Sequence, residues 1–376
     1  MVRLDQLADA LAGLRSVQVQ RRRCLAALSP RSGCRQCEEI CPEGAVRCTP
    51  VPVIGACTGC GLCAAVCPGD ALTLDDPSDH QLLQQAAAAA RRSATVSVGC
   101  GPGAQVRVVC PGRVPPELLL AAVAAGADRV ELVCPQQRCG TCQYSAGREL
   151  AVRSVQTVAA VLASLGRPEA VAVVDQPSRA PARDPDPRTV QAPVHQDRRD
   201  FLLAAFGLLR QSVPAYITGA RPTPPLDHDA AARSPRRDLL LWACETLHPA
   251  QAVAAAPWPG GRPALGGEPC TQCGVCVRLC PGRALGLGEA GLTHLPRRCM
   301  HCGLCETVCP AGALVMAPGG ALADLVSESP AHLGHAATLS CVRCGDTFAA
   351  TVSAAPAAPT CLPCHIRGSR GEEWLT

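Results

Sequence analysis

The sequence predicts an α+β fold: two small cysteine-rich modules flank a central α/β (βαβ) domain, and a sparser cysteine segment closes the chain. Three observations predict it. Of 27 Cys, nine lie between Cys24 and Cys67, eight between Cys270 and Cys309, and none between Cys142 and Cys244. The 376 residues include only three Trp, three Phe and two Tyr, and residues 1–143 contain none of these. Between the dense blocks, Thr95–Asp175 alternates strand-like and helix-like patterns. Most of the apolar residues are Ala, Val and Leu, which bury little area each. Something other than a large side-chain core must therefore organise the cysteine blocks.

The elements follow in order. Leu4, Leu7, Leu11 and Leu14 fit one face of an amphipathic helix, which predicts an N-terminal helix over 1–23. The first cysteine module occupies 24–77. Ser78–Ser93 opens with a Ser/Asp cap and runs on as an Ala-rich helix. Within the central domain, 94–175, Thr95–Val98 and Val106–Val109 read as strands. Pro116–Ala125 reads as a helix with Pro at its start, and Arg129–Val133 as a further strand. Strand, helix, strand in this length is a βαβ unit with parallel strands and a right-handed crossover. Residues 176–197 hold five Pro among polar side chains and read as a linker. A short apolar helix near Phe201–Leu209 and a Pro-rich connection fill 198–265. The second cysteine module spans 266–318, and a pair of CxxC knuckles spans 338–368.

Several function classes drop out. No apolar run approaches the roughly 18–20 residues of a membrane span. Asp5 and Asp9 interrupt the N-terminal apolar stretch, so it is no signal peptide. The expected compartment is the cytoplasm, where so many cysteines mean metal or redox chemistry rather than disulfides. Arg198–Leu202 has a twin-arginine look but sits mid-chain and reads as a basic helix start. Gly99-x-Gly101-x-x-Ala104 fails as a nucleotide fingerprint, because the strand pattern Gln105–Val109 follows where a helix is needed. All 35 basic residues are Arg, which reads as codon bias.

Cys57–Cys67, Cys270–Cys280 and Cys299–Cys309 each read C-x2-C-x2-C-x3-C-P, an internal duplication. A fourth copy, Cys34-x2-Cys37-x3-Cys41-Pro42, lacks a leading Cys in register; Cys24 stands upstream across a nine-residue gap. The motif resembles the bacterial-type ferredoxin signature for [4Fe–4S] clusters, here as two ferredoxin-like dicluster modules. Two-residue gaps let three thiolates wrap one corner of a cubane while backbone N–H groups face its sulfurs. In dicluster ferredoxins the fourth thiolate comes from the other motif. The resemblance implies four [4Fe–4S] clusters, held by Cys24, Cys34, Cys37 and Cys67; by Cys57, Cys60, Cys63 and Cys41; by Cys270, Cys273, Cys276 and Cys309; and by Cys299, Cys302, Cys305 and Cys280. Cys48 rivals Cys24 at the first. With every iron held by Cys, no coordination site is open to substrate.

In the central domain, Cys110 and Cys134 follow strands, Cys100 lies just past another, and Cys139 and Cys142 fall in the next loop. Five thiols thus converge on the edge where open α/β sheets keep their ligands. Cys110-Pro-Gly-Arg-Val114, Gly126-Ala-Asp128, Cys134 and Cys142-x-Tyr144-x-x-Gly147 resemble the iron–sulfur (delta) subunit of methanogen-type hydrogenases. This implies one [2Fe–2S] cluster on Cys110, Cys134, Cys142 and one of Cys100 or Cys139. Cys341-x2-Cys344 and Cys361-x2-Cys364 have the spacing of a zinc-ribbon-like segment, read as zinc with iron as the alternative. His301 and His365 sit beside ligands, and His301 is expected to tune its cluster by a hydrogen bond to sulfur.

The expected function is single-electron relay, as subunit or partner of a hydrogenase, formate dehydrogenase or heterodisulfide-reductase-like flavoprotein. The alternatives are an accessory or maturation ferredoxin, since the second half resembles nitrate-reductase accessory ferredoxins, and an all-zinc nucleic-acid-binding protein. The formal charge of +4 hints at acidic partners only while the thiols are counted neutral. Six four-thiolate sites at about −2 each would bring the loaded chain to roughly −8.

Overall fold

The computed structural model describes residues 17–74, 77–178, 234–247, 258, 261–319, 322 and 327–373. These fall in one compact unit; a second unit, 184–231, lies outside the described residues. So do the leucines of the N-terminal helix, the Phe201–Leu209 helix and most of the linker.

The first module begins with a strand. Val17–Val19 forms β1 and pairs antiparallel with β4, Leu72–Leu74. The helix expected to run to residue 23 is thus corrected from residue 17 onward. Val17 and Val19 are half-buried around exposed Gln18, the alternation of a strand, and β-branched side chains fit a pleated surface. Between β1 and β4 lies the hairpin of β2, Val46–Cys48, and β3, Pro52–Ile54. Short helices Gln36–Glu39 and Leu62–Val66 complete the module.

Helix Asp79–Ala90 starts at a reciprocal capping box, with Ser78 and Gln81 each bonding the other's backbone. The central sheet is four-stranded and wholly parallel: β5 is Thr95–Gly99, β6 Val106–Arg107, β7 Arg129–Val133 and β8 Val171–Val174, in the order β6-β5-β7-β8. β5 therefore lies between β6 and β7, the two strands of the βαβ unit. The chain from β6 through helix Pro116–Ala124 must pass over β5 to reach β7. β6 is shorter than expected because the chain turns at Pro111–Arg113. Leu119, Leu120, Leu132 and Leu162 are among the residues at the centre of this core, and helix Ala146–Ala163 covers one side.

Helix Pro235–Thr246 falls where the sequence suggested only a Pro-rich connection. Leu240, Ala243 and Cys244 join the central core, so Cys244 is a packed thiol. Its first turn binds the modules on both sides. Ser234 Oγ donates to Asp70 Oδ2 at 2.8 Å, and Arg236 Nε pairs with Asp70 Oδ1 at 3.2 Å. Arg237 donates to the carbonyls of Arg297 and Pro296 at 3.0 and 2.6 Å.

The second module repeats the first. β9, Arg262–Leu265, pairs with β12, Leu314–Ala317, around the hairpin of β10, Leu285–Gly288, and β11, Gly291–His294. Short helices Val275–Leu279 and Leu304–Thr307 lie within the two motifs, between the second cysteine of each and its crossed cysteine. β13, Ala331–His332, extends the hairpin. The C-terminal hairpin of β14, His335–Ser340, and β15, Thr347–Val352, lies against this module. Cys270 and Thr351 exchange backbone hydrogen bonds of 3.0 and 2.8 Å, and buried Thr351 Oγ1 accepts from the Leu292 N–H. Among the described residues no helix is long and apolar enough to cross a membrane.

Candidate metal centres

Folding brings the cysteines of the second module into two groups. Cys270, Cys273, Cys276 and Cys309 line one cleft of about 350 Å³, and Cys280, Cys299, Cys302 and Cys305 line another of about 360 Å³. In each the fourth thiol arrives from the other motif. Leu292 and Leu314 wall the first cleft, Leu285 and Leu304 the second. In the first module the thiols lie close enough to raise one another: burial first, then Cys48, Cys67 and Cys63 together, raises Cys37. Burial first, then Cys60, Cys57 and Cys41, pushes the Cys63 thiol up to about 12. Burial raises Cys34, and among thiols Cys67, Cys24 and Cys48 add to the effect.

A local device recurs in all four motifs. The residue three past the crossed cysteine, Gly44, Asp70, Arg283 or Gly312, is left-handed, with φ of 58°, 46°, 51° and 61°. Only the glycines take that region without steric cost. The turn sends the next N–H back toward the sulfur: Ala71 to Cys67 at 3.2 Å, Ala284 to Cys280 at 3.2 Å, and Ala313 to Cys309 at 3.3 Å. An N–H aimed at sulfur favours the thiolate over the thiol. Four soft thiolates around an apolar cleft, met by amide dipoles, make a donor set that fits a [4Fe–4S] cluster.

Cys24 and Cys48 differ in how they approach their group. A Cβ on Gly282 would collide with the carbonyl oxygen of Arg298, the residue before Cys299. A Cβ on Gly69 would collide likewise with that of Arg23, the residue before Cys24. Cys24 therefore enters the first module as Cys299 enters the second. Cys48 Sγ instead sits 3.6 Å from Cys37 Sγ, with its N–H donated to Glu38 Oε2 at 3.0 Å.

In the central domain Cys110 and Cys134 are buried, Cys139 is half-buried, and Cys100 and Cys142 are exposed. Burial pushes both Cys110 and Cys134 up to about 12, and in each case Cys139 adds more than Cys100. Two glycines make the close packing possible: a Cβ on Gly147 would overlap Cys110 Sγ, and one on Gly112 would overlap the Gly147 backbone. Cys110 shares a buried cluster with Cys60 and Leu62 of the first module.

The knuckles differ in scale. Cys341, Cys344, Cys361 and Cys364 hold their sulfurs within 4.8 Å of one another, and Cys344 and Cys361 stand 3.7 Å apart. A tetrahedral zinc with Zn–S of about 2.3 Å needs sulfurs about 3.8 Å apart. The N–H groups of Cys361 and Arg343 each donate to Cys341 Sγ at 3.4 Å. With the Cys361 bond foremost, they hold the Cys341 thiol down to about 6.

His301 corrects an expectation. Its Nδ1 meets the Gly261 carbonyl oxygen at 2.6 Å, and Nε2 has no hydrogen-bond partner among the described residues. The backbone N–H of His301, freed by a left-handed φ of 54°, favours the Cys299 thiolate. The residue thus acts on sulfur through its main chain rather than its ring. Sequence reading had no signal for this beyond position.

Three family models match the chain. A 4Fe-4S dicluster domain matches residues 269–313, a 4Fe-4S binding domain matches 51–73, and the delta subunit of methyl-viologen-reducing hydrogenase matches 84–183. The match over 51–73 takes in Cys57, Cys60, Cys63 and Cys67, while Cys24, Cys34, Cys37 and Cys41 precede it. A search of curated proteins and one of solved structures each found no match.

Proposed function

We propose that this chain, an iron–sulfur protein of the electron-transfer kind with 4Fe-4S regions on both sides of a hydrogenase-delta-type domain, relays single electrons through four [4Fe–4S] clusters and one [2Fe–2S] cluster. The observation that carries the reading is the grouping of the second module's eight cysteines into two fours, each closed by a thiol from the partner motif, with the first module taken to repeat it. When bound, the clusters supply reversible one-electron chemistry. The protein's part is to hold the thiolates, aim N–H groups at them and exclude water. Cys24 completes the first group, because Gly69 meets Arg23 as Gly282 meets Arg298. Cys110, Cys134, Cys139 and Cys142 hold the [2Fe–2S] cluster, leaving Cys100 outside it. Cys341, Cys344, Cys361 and Cys364 hold zinc at the spacing one ion requires.

The delta-type domain points to an oxidoreductase partner of hydrogenase, formate dehydrogenase or flavoprotein type. All 27 cysteines are free thiols, which suits the cytoplasm. The test is metal and acid-labile sulfide analysis of anaerobically purified protein, with redox spectroscopy. About eighteen irons and one zinc per chain are expected. Colourless, iron-free protein would sink the assignment.

A further inference from the structure

The two modules touch through their cysteine groups. Leu25 of the first packs with Leu304 and Val308 of the second, and this apolar cluster is bordered by Cys34 on one side and Cys302 on the other. Cys67 and Cys299 line one cleft of about 660 Å³, together with Asp70, Arg236 and Arg237. The group closed by Cys67 therefore abuts the group led by Cys299. At the far side of the first module, Cys60 and Cys110 share a buried cluster, so the Cys57 group abuts the central thiols. Among the described residues, no cysteine of the Cys270 group lines a buried cluster or cleft shared with the first module or the central domain.

We infer that these sites form a single file with two ports, running from the Cys270 group through the Cys299, Cys24 and Cys57 groups to the central-domain thiols. The order is not the order of the chain: the C-terminal module joins at the Cys24 end of the first, leaving the Cys57 end for the central domain. Thiol exposure provides a separate observation. Cys273 is exposed at one end and Cys100 and Cys142 at the other, while none of the twelve cysteines in the three intervening groups is exposed. One electron leaves a reduced one-electron protein carrier at one port and one reaches an oxidised carrier at the other. No bond is made or broken and no proton moves. The C-terminal hairpin covers the Cys270 side of its group through Thr351, so exchange at that port takes place on the Cys273 side.

This inference rests on the proposed clusters, and iron and sulfide counts judge those separately from the order. On protein with full iron content, pulsed EPR of the fully reduced state reads which spins couple. Cys302→Ser should remove the Cys24-group signal's coupling to the second module, keep its coupling to the Cys57 group and leave the [2Fe–2S] signal unchanged, whereas Cys60→Ser should remove coupling from the [2Fe–2S] signal. The reverse pattern, or no coupling between modules, overturns the file. Should either variant lose all its iron, unmodified protein gives the answer. A soluble dysprosium(III) chelate should speed relaxation several-fold at the [2Fe–2S] and Cys270-group signals and leave the other three unaffected; equal enhancement at all five overturns the proposal.

Discussion

At the scale of single residues, the first-module ligand set turns on Cys24 and Cys48. Cys37 and Cys48 lie 3.6 Å apart, a spacing suited to one small ion and too close for two corners of one cubane. Cys24→Ser is expected to lower the iron content by up to about four per chain, while Cys48→Ser leaves it unchanged; iron analysis with EPR decides. Gly147→Ala should damage the central site by displacing Cys110, seen as loss of the [2Fe–2S] spectrum with the [4Fe–4S] signals retained. His294 yields a pH prediction. Burial first, then His301, Arg237 and Arg262, depresses it to about 4 from about 6.5. The folded state thus binds fewer protons than the unfolded one in that window. The stability His294 contributes is present above pH 6.5 and lost as pH falls toward 4. His294→Gln should lack this titration, so the wild-type-minus-variant stability difference should shrink as pH falls from 6.5 toward 4 in thermal unfolding, where acid lability common to both proteins cancels.

At the scale of elements, helix Pro235–Thr246 is the piece the sequence reading did not see. Its apolar spacing is short, its neighbours are rich in Pro, and its role depends on Asp70, 166 residues before Arg236. The Asp70–Arg236 pair is buried, with side chains 8% and 11% exposed. Removing one partner of such a pair costs about 3–5 kcal/mol, because the other charge is left uncompensated. Arg236→Ala should show a loss of that order in denaturant unfolding, and Arg236→Met less of it if Asp70 is changed to Asn as well. The cluster motifs, by contrast, were legible in their spacing and in the ferredoxin resemblance, while the left-handed residue three past each crossed cysteine was seen only in the fold. The strand order of the central sheet was not legible, since local patterning identifies strands but not which strand lies between which.

At the scale of the whole molecule, metal binding and charge act together. The cysteine modules have few large apolar side chains, so much of their folding free energy must come from the ligands' bonds to metal. Chelating the knuckle metal should loosen β14 and β15, and with them the Cys270–Thr351 bonds. Hydrogen exchange is expected to quicken at Cys270, Leu292 and Thr351 before it does in the first module. The loaded protein should bind an anion exchanger at neutral pH, as a chain near −8 would, although the sequence pI is about 8.1. Metal-free protein should pass through.

The sequence by itself marked the repeated cysteine motifs, because C-x2-C-x2-C-x3-C-P is a local pattern, and their grouping into clusters was what the resemblance to dicluster ferredoxins implied. It also marked the absence of a large aromatic core where those groups sit. Only the tertiary structure decided that Cys24 enters like Cys299, that Cys110 faces Cys60, and that the modules meet at Cys34 and Cys302. Those relations join residues far apart in the chain. They are set by how Leu25, Leu304 and Val308 pack and where Arg236 finds Asp70, and no spacing along the sequence encodes them.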